Sequence, residues 1–189
     1  MLIKNIQMDK IIIFTIFSIV IVIVSWRTLL NIKTHGFYRF ISWECIAWLL
    51  SSNYNVWFID PFSNRQLFSW ILLLISVYFV ISGVIMMKKM GNQDKNRDKN
   101  TLYEFEKTTE LVNQGIFKYI RHPLYSSLLF LTWGIHLKNP TPQLLIVSFI
   151  STVFLYFTAI WDEKESKVFF GEKYIEYMKR TKRFIPFIF

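Results

Sequence analysis

Residues 66–87 read QLFSWILLLISVYFVISGVIMM, a run of 22 residues without a charged side chain. At about 1.5 Å per residue, a helix of this length crosses the hydrocarbon core of a bilayer. A second uncharged run, Ile11–Trp26, ends at Trp26 and Arg27, whose residue types anchor helices at the membrane interface. The whole chain of 189 residues is 53% hydrophobic, more than a globule of this size can bury. The sequence therefore predicts an all-α integral membrane protein.

Further apolar stretches bring the predicted number of membrane spans to five. They are Phe40–Phe58, Pro123–Leu137 and Leu144–Ile160. The turn Lys138–Pro142 contains two prolines, which predicts a tight hairpin between the last two spans. Glu44 places a charge in the second span and is a functional candidate without an assigned role. Beyond the fifth span, the helical pattern breaks at Gly171 and resumes to about Arg180.

The basic residues predict the orientation of the spans. Of the 22 Lys and Arg residues, segments 27–39, 88–122 and 161–189 hold 3, 8 and 7. With five spans these segments share one face, which the positive-inside rule makes cytoplasmic. We therefore expect the N-terminus outside, and a C-terminal helical segment and active site at the cytosolic face. The net charge of +9 then indicates contact with anionic headgroups, and we expect no nucleic-acid partner.

Two regions follow from this pattern. Residues 1–100 hold the first three spans and a polar connector, Gly91–Lys99, and residues 101–189 hold the remaining motifs. One cysteine excludes an internal disulfide, and three histidines far apart in sequence predict no metal site. The glycines never occur as GxG, which excludes a soluble dinucleotide-binding fold.

Three motifs on the predicted cytosolic side carry candidate chemistry. GIFKYIRHPLY (115–125) places Pro123 at a helix start, where free backbone N–H groups bind anions. WDEKE (161–165) supplies carboxylates for the hydroxyl or ammonium groups of a nucleoside ligand. FFGEKYIEY (169–177) supplies aromatic rings that stack on a base or lie on the membrane. The alternative is that each motif is an ordinary helix cap or solvated helix face.

Basic residues near these motifs have a separate expected role. We expect them to bind lipid headgroups rather than the ligand, because they flank the spans and alternate with aromatic residues. They are Arg121, Arg180, Lys182 and Arg183.

Taken in order, the three motifs, the hairpin and the Ile185–Pro186 pair resemble the isoprenylcysteine carboxyl methyltransferase family, within the membrane phospholipid methyltransferases. The resemblance covers Thr101–Phe187. It implies a fold of five membrane helices and S-adenosylmethionine as methyl donor. It also implies catalytic roles for His122 and Glu163. The positions that it implies for donor contacts are Thr109, Glu110, Leu111, Val112, Phe117, His122, Pro123, Leu124, Tyr125, Asp162 and Tyr174.

Two positions depart from the family pattern. Asp162 stands where the family usually has Glu, and Thr158 stands where it has an arginine for the substrate carboxylate. Lys164 is the nearest cation that can replace that arginine, as a less suitable partner. The acceptor is therefore expected to be hydrophobic or lipid-linked, with its reacting group left open. The alternatives are a phospholipid N-methyltransferase, a reductase of the sterol type that uses NADPH, and a membrane scaffold or transporter without enzymatic activity.

Overall fold

The computed structural model describes residues 2–92, 102–103 and 106–188, with the side chains of residues 2–5 left out. Most of the predicted connector Gly91–Lys99, and the predicted region boundary at residue 100, lie outside this part of the chain. The helices within it are α1 (Leu2–Leu29), α2 (His35–Asn53), α3 (Asn64–Met90), α4 (Pro123–His136), α5 (Pro142–Phe170) and α6 (Glu172–Arg180). A single turn of 3-10 helix covers Gly115–Lys118. The all-α prediction is confirmed for the described residues.

Three of these helices are long and apolar enough to cross a membrane. They are α1 over Ile6–Leu29, α3 and α5. Helix α4 has 14 residues, so it is about 21 Å long, shorter than the ~30 Å hydrocarbon core. Helix α2 has 19 residues but carries Arg39 and Glu44 within its length.

Small polar residues join the helices of the bundle. Helix α3 packs on α4, and α2 packs on α5 and α1. The Ser42 and Ser151 hydroxyls of α2 and α5 lie 2.8 Å apart, and Ser69 of α3 donates to the Gly134 carbonyl of α4 at 2.6 Å. At Gly134 an added Cβ would meet Leu73 of α3 at 2.9 Å, so α3 and α4 are in close contact there. Close approach and interhelical hydrogen bonds are the forces that associate helices where lipid replaces water.

Two predicted boundaries can be compared with the helices. The second apolar stretch was expected to end at Phe58, but α2 ends at Asn53. The Asn53 side chain donates to the Leu49 carbonyl at 2.8 Å, and beyond the helix the Val56 amide donates to the Asn53 carbonyl, one of the last carbonyls of α2, at 3.1 Å. The predicted break at Gly171 is confirmed: this residue has φ +59° and separates α5 from α6. A positive φ is accessible to glycine at little cost.

Candidate functional site

The main polar cavity lies at the end of the bundle where α2 and α4 begin and α3 and α5 end. Its walls come from these helix ends, from Leu102, from residues 106–117 and from the aromatic face of α6. Tyr174 and Tyr177 of α6 are both buried against it, while most other residues of that helix are exposed. We call it the donor cavity, because most of the residues that were predicted from the sequence to contact the methyl donor line it. Its position brings residues from both predicted regions, such as His35 and Tyr174, into one site.

His122 lies at the centre of the donor cavity between two carboxylates. Its Nδ1 is 3.4 Å from Asp162 Oδ2, and its Nε2 is 3.3 Å from Glu163 Oε1. Burial lowers the pKa of His122, but hydrogen bonds and charges from Asp162 and Glu163 outweigh burial and raise it above the ordinary value. The geometry therefore favours an imidazolium that donates from both nitrogens. In that state, His122 has no lone pair with which to accept a proton.

Glu163 binds two arginines besides His122. Arg121 Nε lies 3.0 Å from Glu163 Oε1, and Arg183 donates to both carboxylate oxygens at 3.0 and 2.8 Å. Glu163 is only 4% exposed, so these cations compensate a buried charge. We expected Arg121 and Arg183 to bind headgroups. That expectation was wrong, because the guanidinium groups of both residues bind Glu163. Alternation of basic and aromatic residues cannot distinguish an interfacial cation from one paired with a distant carboxylate.

The C-terminal tail, residues 181–188, is tied to the start of α4. The Arg121 and His122 amides donate to the carbonyls of Lys182 and Arg183, and Ser126 Oγ donates to the Phe184 carbonyl at 2.7 Å. Arg121 also donates to the Thr181 carbonyl. These bonds hold Arg183 beside Glu163, so the tail forms part of the site.

Two residues that line the cavity, His35 and Glu106, belong to none of the three sequence motifs. His35, the first residue of α2, is 1% exposed and hydrogen-bonds Glu165 of α5. Glu106 accepts from the buried Arg39 of α2 at 3.0 and 3.2 Å. A charge within an otherwise apolar helix, such as Arg39, was the available signal, because a buried arginine requires a partner.

The structure brings most of the predicted donor contacts to this cavity. The residues that line it are Leu111, Val112, Phe117, His122, Pro123, Leu124, Tyr125, Asp162 and Tyr174. Thr109 and Glu110 lie beside the wall, with Thr109 Oγ1 donating to the Asn92 carbonyl. Glu163 contacts His122 behind the wall.

The two predicted acceptor residues lie elsewhere. Thr158 is fully buried and donates to the Phe154 carbonyl of its own helix at 2.7 Å. Lys164 is exposed, with its Nζ 4.1 Å from the Trp161 ring centre.

A second, apolar cavity of about 850 Å³ runs along α4 and α5. Its lining includes Leu72 of α3, several residues of α4 and α5, and Phe184 and Ile185 of the tail. We call it the apolar groove. Phe184 lines the groove and packs in one cluster with Tyr125, which lines the donor cavity. One hydrophobic cluster therefore contributes a ring to the lining of each cavity, and we call this pair of rings the Tyr125–Phe184 wall.

The fold and site belong to a defined class of membrane protein. The sequence model of the phospholipid methyltransferase family matches residues 64–174, and the chain belongs to that family. This match covers α3, α4, α5 and the first residues of α6, which carry most of the site. Together with the long apolar helices, it identifies an integral membrane protein.

Two curated relatives confirm the resemblance found in the motifs. The chain is 33% identical over 89 residues to protein-S-isoprenylcysteine O-methyltransferase B of Arabidopsis thaliana, covering 44% of this chain and 43% of that protein. It is 36% identical over 85 residues to protein-S-isoprenylcysteine O-methyltransferase of Homo sapiens, covering 43% and 29%. The chain thus spans less than half the length of these relatives. No solved structure matches it.

Proposed function

We propose that this protein is a membrane-bound methyltransferase that uses S-adenosylmethionine and methylates a hydrophobic or lipid-linked acceptor. The observation that carries the proposal is the pairing of a polar cavity with an apolar groove across the Tyr125–Phe184 wall. Family membership supports methyl transfer, and the names of the relatives support an O-methyl product.

We further propose that α2 and α4 complete five spans, with the donor cavity at the cytosolic face. The described residues of the basic segments 27–39, 88–122 and 161–189 adjoin this end of the bundle, which supports that orientation. Both α2 and α4 contact longer helices of the bundle, so lipid need not surround them over their full length.

The residues of the donor cavity fit S-adenosylmethionine. Asp162 lines it and provides a carboxylate for the cationic amino acid part or the ribose hydroxyls. Phe117, Phe170 and Tyr174 provide aromatic surface for the adenine. When bound, the donor supplies an electrophilic methyl group on a sulfonium centre. Asp162 suits such a cation, whereas Arg121, which also lines the cavity, is bound to Glu163 and is a poor partner for the 2′-phosphate of NADPH.

The residues around Asp162 keep the carboxylate in place. His122 donates to Asp162 and Glu163, and Arg121 and Arg183 also donate to Glu163. We therefore assign His122 and Glu163 a positioning role rather than proton transfer. A carboxylate or thiolate acceptor needs no base near neutral pH, so positioning and exclusion of water are the protein's main contributions.

The apolar groove fits the tail of a lipid-linked acceptor. Its lining is almost wholly hydrophobic and includes Phe184, which packs in one cluster with Tyr125 of the donor cavity. An acceptor whose tail lies in the groove and whose polar head lies at the Tyr125–Phe184 wall would adjoin the donor cavity. Arg183, whose guanidinium lies 5.1 Å from the Tyr156 ring centre, places a cation beside the groove. Tyr156 itself lines the groove.

The test of the proposed function is methyl transfer by purified protein in lipid vesicles. With S-adenosylmethionine labelled in the methyl group, we expect label in the lipid fraction only when a lipid-linked acceptor is present. Mild alkali releases a methyl ester as methanol, whereas N-methyl and S-methyl products survive. Volatile label would identify a carboxylate acceptor, and stable label in phospholipid would identify the N-methyltransferase alternative. Absence of S-adenosylmethionine binding and of label in any fraction would contradict the proposal.

A further inference from the structure

His35 forms a part of the donor cavity that lies outside the family match. It begins α2, and its backbone N–H and its Nδ1 both lie 3.1 Å from Oε1 of Glu165. Glu165 follows Asp162 by three residues on α5, so both carboxylates project from neighbouring positions on one side of that helix. His35 also lines the donor cavity, together with His122 and Asp162.

The bond to Glu165 fixes which ring nitrogen of His35 carries the proton. An ionised carboxylate can only accept, so Nδ1 is the donor in this contact. In the neutral imidazole, Nε2 then has a free lone pair. Nε2 is buried and has no hydrogen-bond partner in the described protein. Buried polar atoms normally have a partner, so an orphaned nitrogen in the wall of a cavity points to a ligand.

The two histidines of the cavity therefore have different capacities. Both nitrogens of His122 face carboxylates and act as donors. His35 faces a carboxylate with Nδ1 only, which leaves Nε2 as an acceptor. The cavity wall also contains anionic Asp162 and Glu106, so a ligand that presents N–H or O–H groups matches it best.

We propose that His35 is a ligand-binding residue of the donor cavity, whose Nε2 accepts a hydrogen bond from an N–H or O–H group of the methyl donor. Glu165 is its positioning residue, since it orients the ring and fixes the tautomer. This assignment rests on the proposed function. The chemistry is the same for an ammonium, an adenine amino group or a ribose hydroxyl, and the experiment distinguishes among these groups.

The test compares two substitutions at position 35 by calorimetry with S-adenosylhomocysteine, which shares these groups with the donor. His35→Asn retains an amide N–H near the position of Nδ1 but removes the acceptor. His35→Gln places an amide oxygen near the position of Nε2. We expect His35→Asn to weaken binding about three- to tenfold and His35→Gln to recover part of that loss. Lys167→Asn, at an exposed position of α5 that lines neither cavity, is the control and should bind normally.

Ligand analogues identify the bonded group and exclude a purely structural effect. Analogues that lack the amino group, the adenine amino group or one ribose hydroxyl are measured with wild type and His35→Asn. The analogue that lacks the group bonded to His35 should bind wild type and His35→Asn with equal affinity. The other analogues should still bind wild type more tightly than His35→Asn. If the substitutions at position 35 impair folding, Glu165→Gln provides a second test, because it no longer fixes the tautomer of His35. Its loss of affinity should be absent for the same analogue and present for the others.

Two results would overturn the assignment, and they are distinguishable. If wild type does not bind S-adenosylhomocysteine, the proposed function fails and the assignment fails with it. If wild type binds but His35→Asn binds within twofold of it, only the role of His35 is wrong. A loss of the same factor for every analogue would also overturn the role, because it would indicate a structural effect alone.

Discussion

Arg183 in the C-terminal tail donates to both carboxylate oxygens of Glu163 in α5, with Nε 3.0 Å from Oε1 and Nη2 2.8 Å from Oε2. This two-bond contact joins the tail to the helix that carries Asp162 and Glu165. Glu163 is also bound by Arg121, which precedes α4. One buried carboxylate therefore connects three separate parts of the chain at the donor cavity.

Replacement of Arg183 should destabilise the folded protein. Arg183→Ala removes two charge-assisted hydrogen bonds from a buried acid, for an expected loss of about 1.5–3 kcal/mol. Thermal unfolding in detergent measures the change. Lys182→Ala is the matched control, because the Lys182 side chain is exposed and its backbone bonds survive the substitution. Equal unfolding temperatures for the two variants would show that the Arg183–Glu163 contact contributes nothing to stability.

Asp162→Asn should weaken donor binding more than it affects folding. The carboxylate lines the donor cavity, and loss of one hydrogen bond to a charged group costs about 1.5–3 kcal/mol, which is at least tenfold in affinity. Calorimetry with S-adenosylhomocysteine measures the effect. Glu176→Gln is the control, because it also replaces a carboxylate with an amide, but on the exposed side of α6 and away from the cavity. Unchanged affinity in Asp162→Asn would place the donor elsewhere.

The stability of the site should depend on pH through His122. Its folded-state pKa is raised, so its ion pairs contribute fully below the ordinary histidine value and are lost as pH rises through the folded-state pKa. We expect the difference in unfolding temperature between wild type and His122→Gln to shrink with increasing pH. A difference that grew with pH would mean that His122 is neutral in the folded protein.

Narrowing the apolar groove should affect the acceptor and not the donor. Val153 lines the groove and is 48% exposed, so Val153→Phe adds a ring without overpacking the core. We expect KM for long-tailed acceptors to rise about tenfold and for short-tailed analogues to change less. Val168→Phe adds the same ring at a position that is 86% exposed and lines neither cavity. The groove assignment fails if both variants behave alike.

Restoring the family arginine at position 158 should be harmful. Thr158 has no exposed surface and no contact with either cavity, so Thr158→Arg buries a charge without a partner. The expected cost is about 3–5 kcal/mol of folding stability, observed as loss of folded protein in detergent. Thr158→Val, which loses only the bond to Phe154, should cost about 1 kcal/mol. A stable Thr158→Arg variant with better prenylcysteine methylation would instead support an acceptor role for this position.

Local patterns in the sequence predicted the helices well. Hydropathy over 20 residues is a local property, and each of the five predicted spans overlaps one helix of the bundle. The Gly171 break was predictable because a single residue type supplies the required backbone angle. The end of α2 was not predictable, because residues 54–58 contain no Gly or Pro to mark it.

Long-range pairs of charged residues were the part of the site that the sequence could not predict. His35 and Glu165 are 130 residues apart, and Arg39 and Glu106 are 67 residues apart. No local pattern encodes such pairs, and the choice of partner depends on how the helices assemble. The motif residues were found because their neighbours in sequence are also their neighbours in the site, as with Asp162 and Glu163 around His122.

The attachment of the tail also imposes an order on biosynthesis. The ribosome makes the three long apolar helices α1, α3 and α5 before it reaches Arg183, so these helices can enter the membrane while Glu163 still lacks one of its two arginines. A translation product that stops before residue 183 would therefore be inserted but would lack a complete donor cavity. In such a chain the buried Glu163 carboxylate would lack the Arg183 guanidinium, which would destabilise the fold. Quality-control proteases remove proteins that are destabilised in this way.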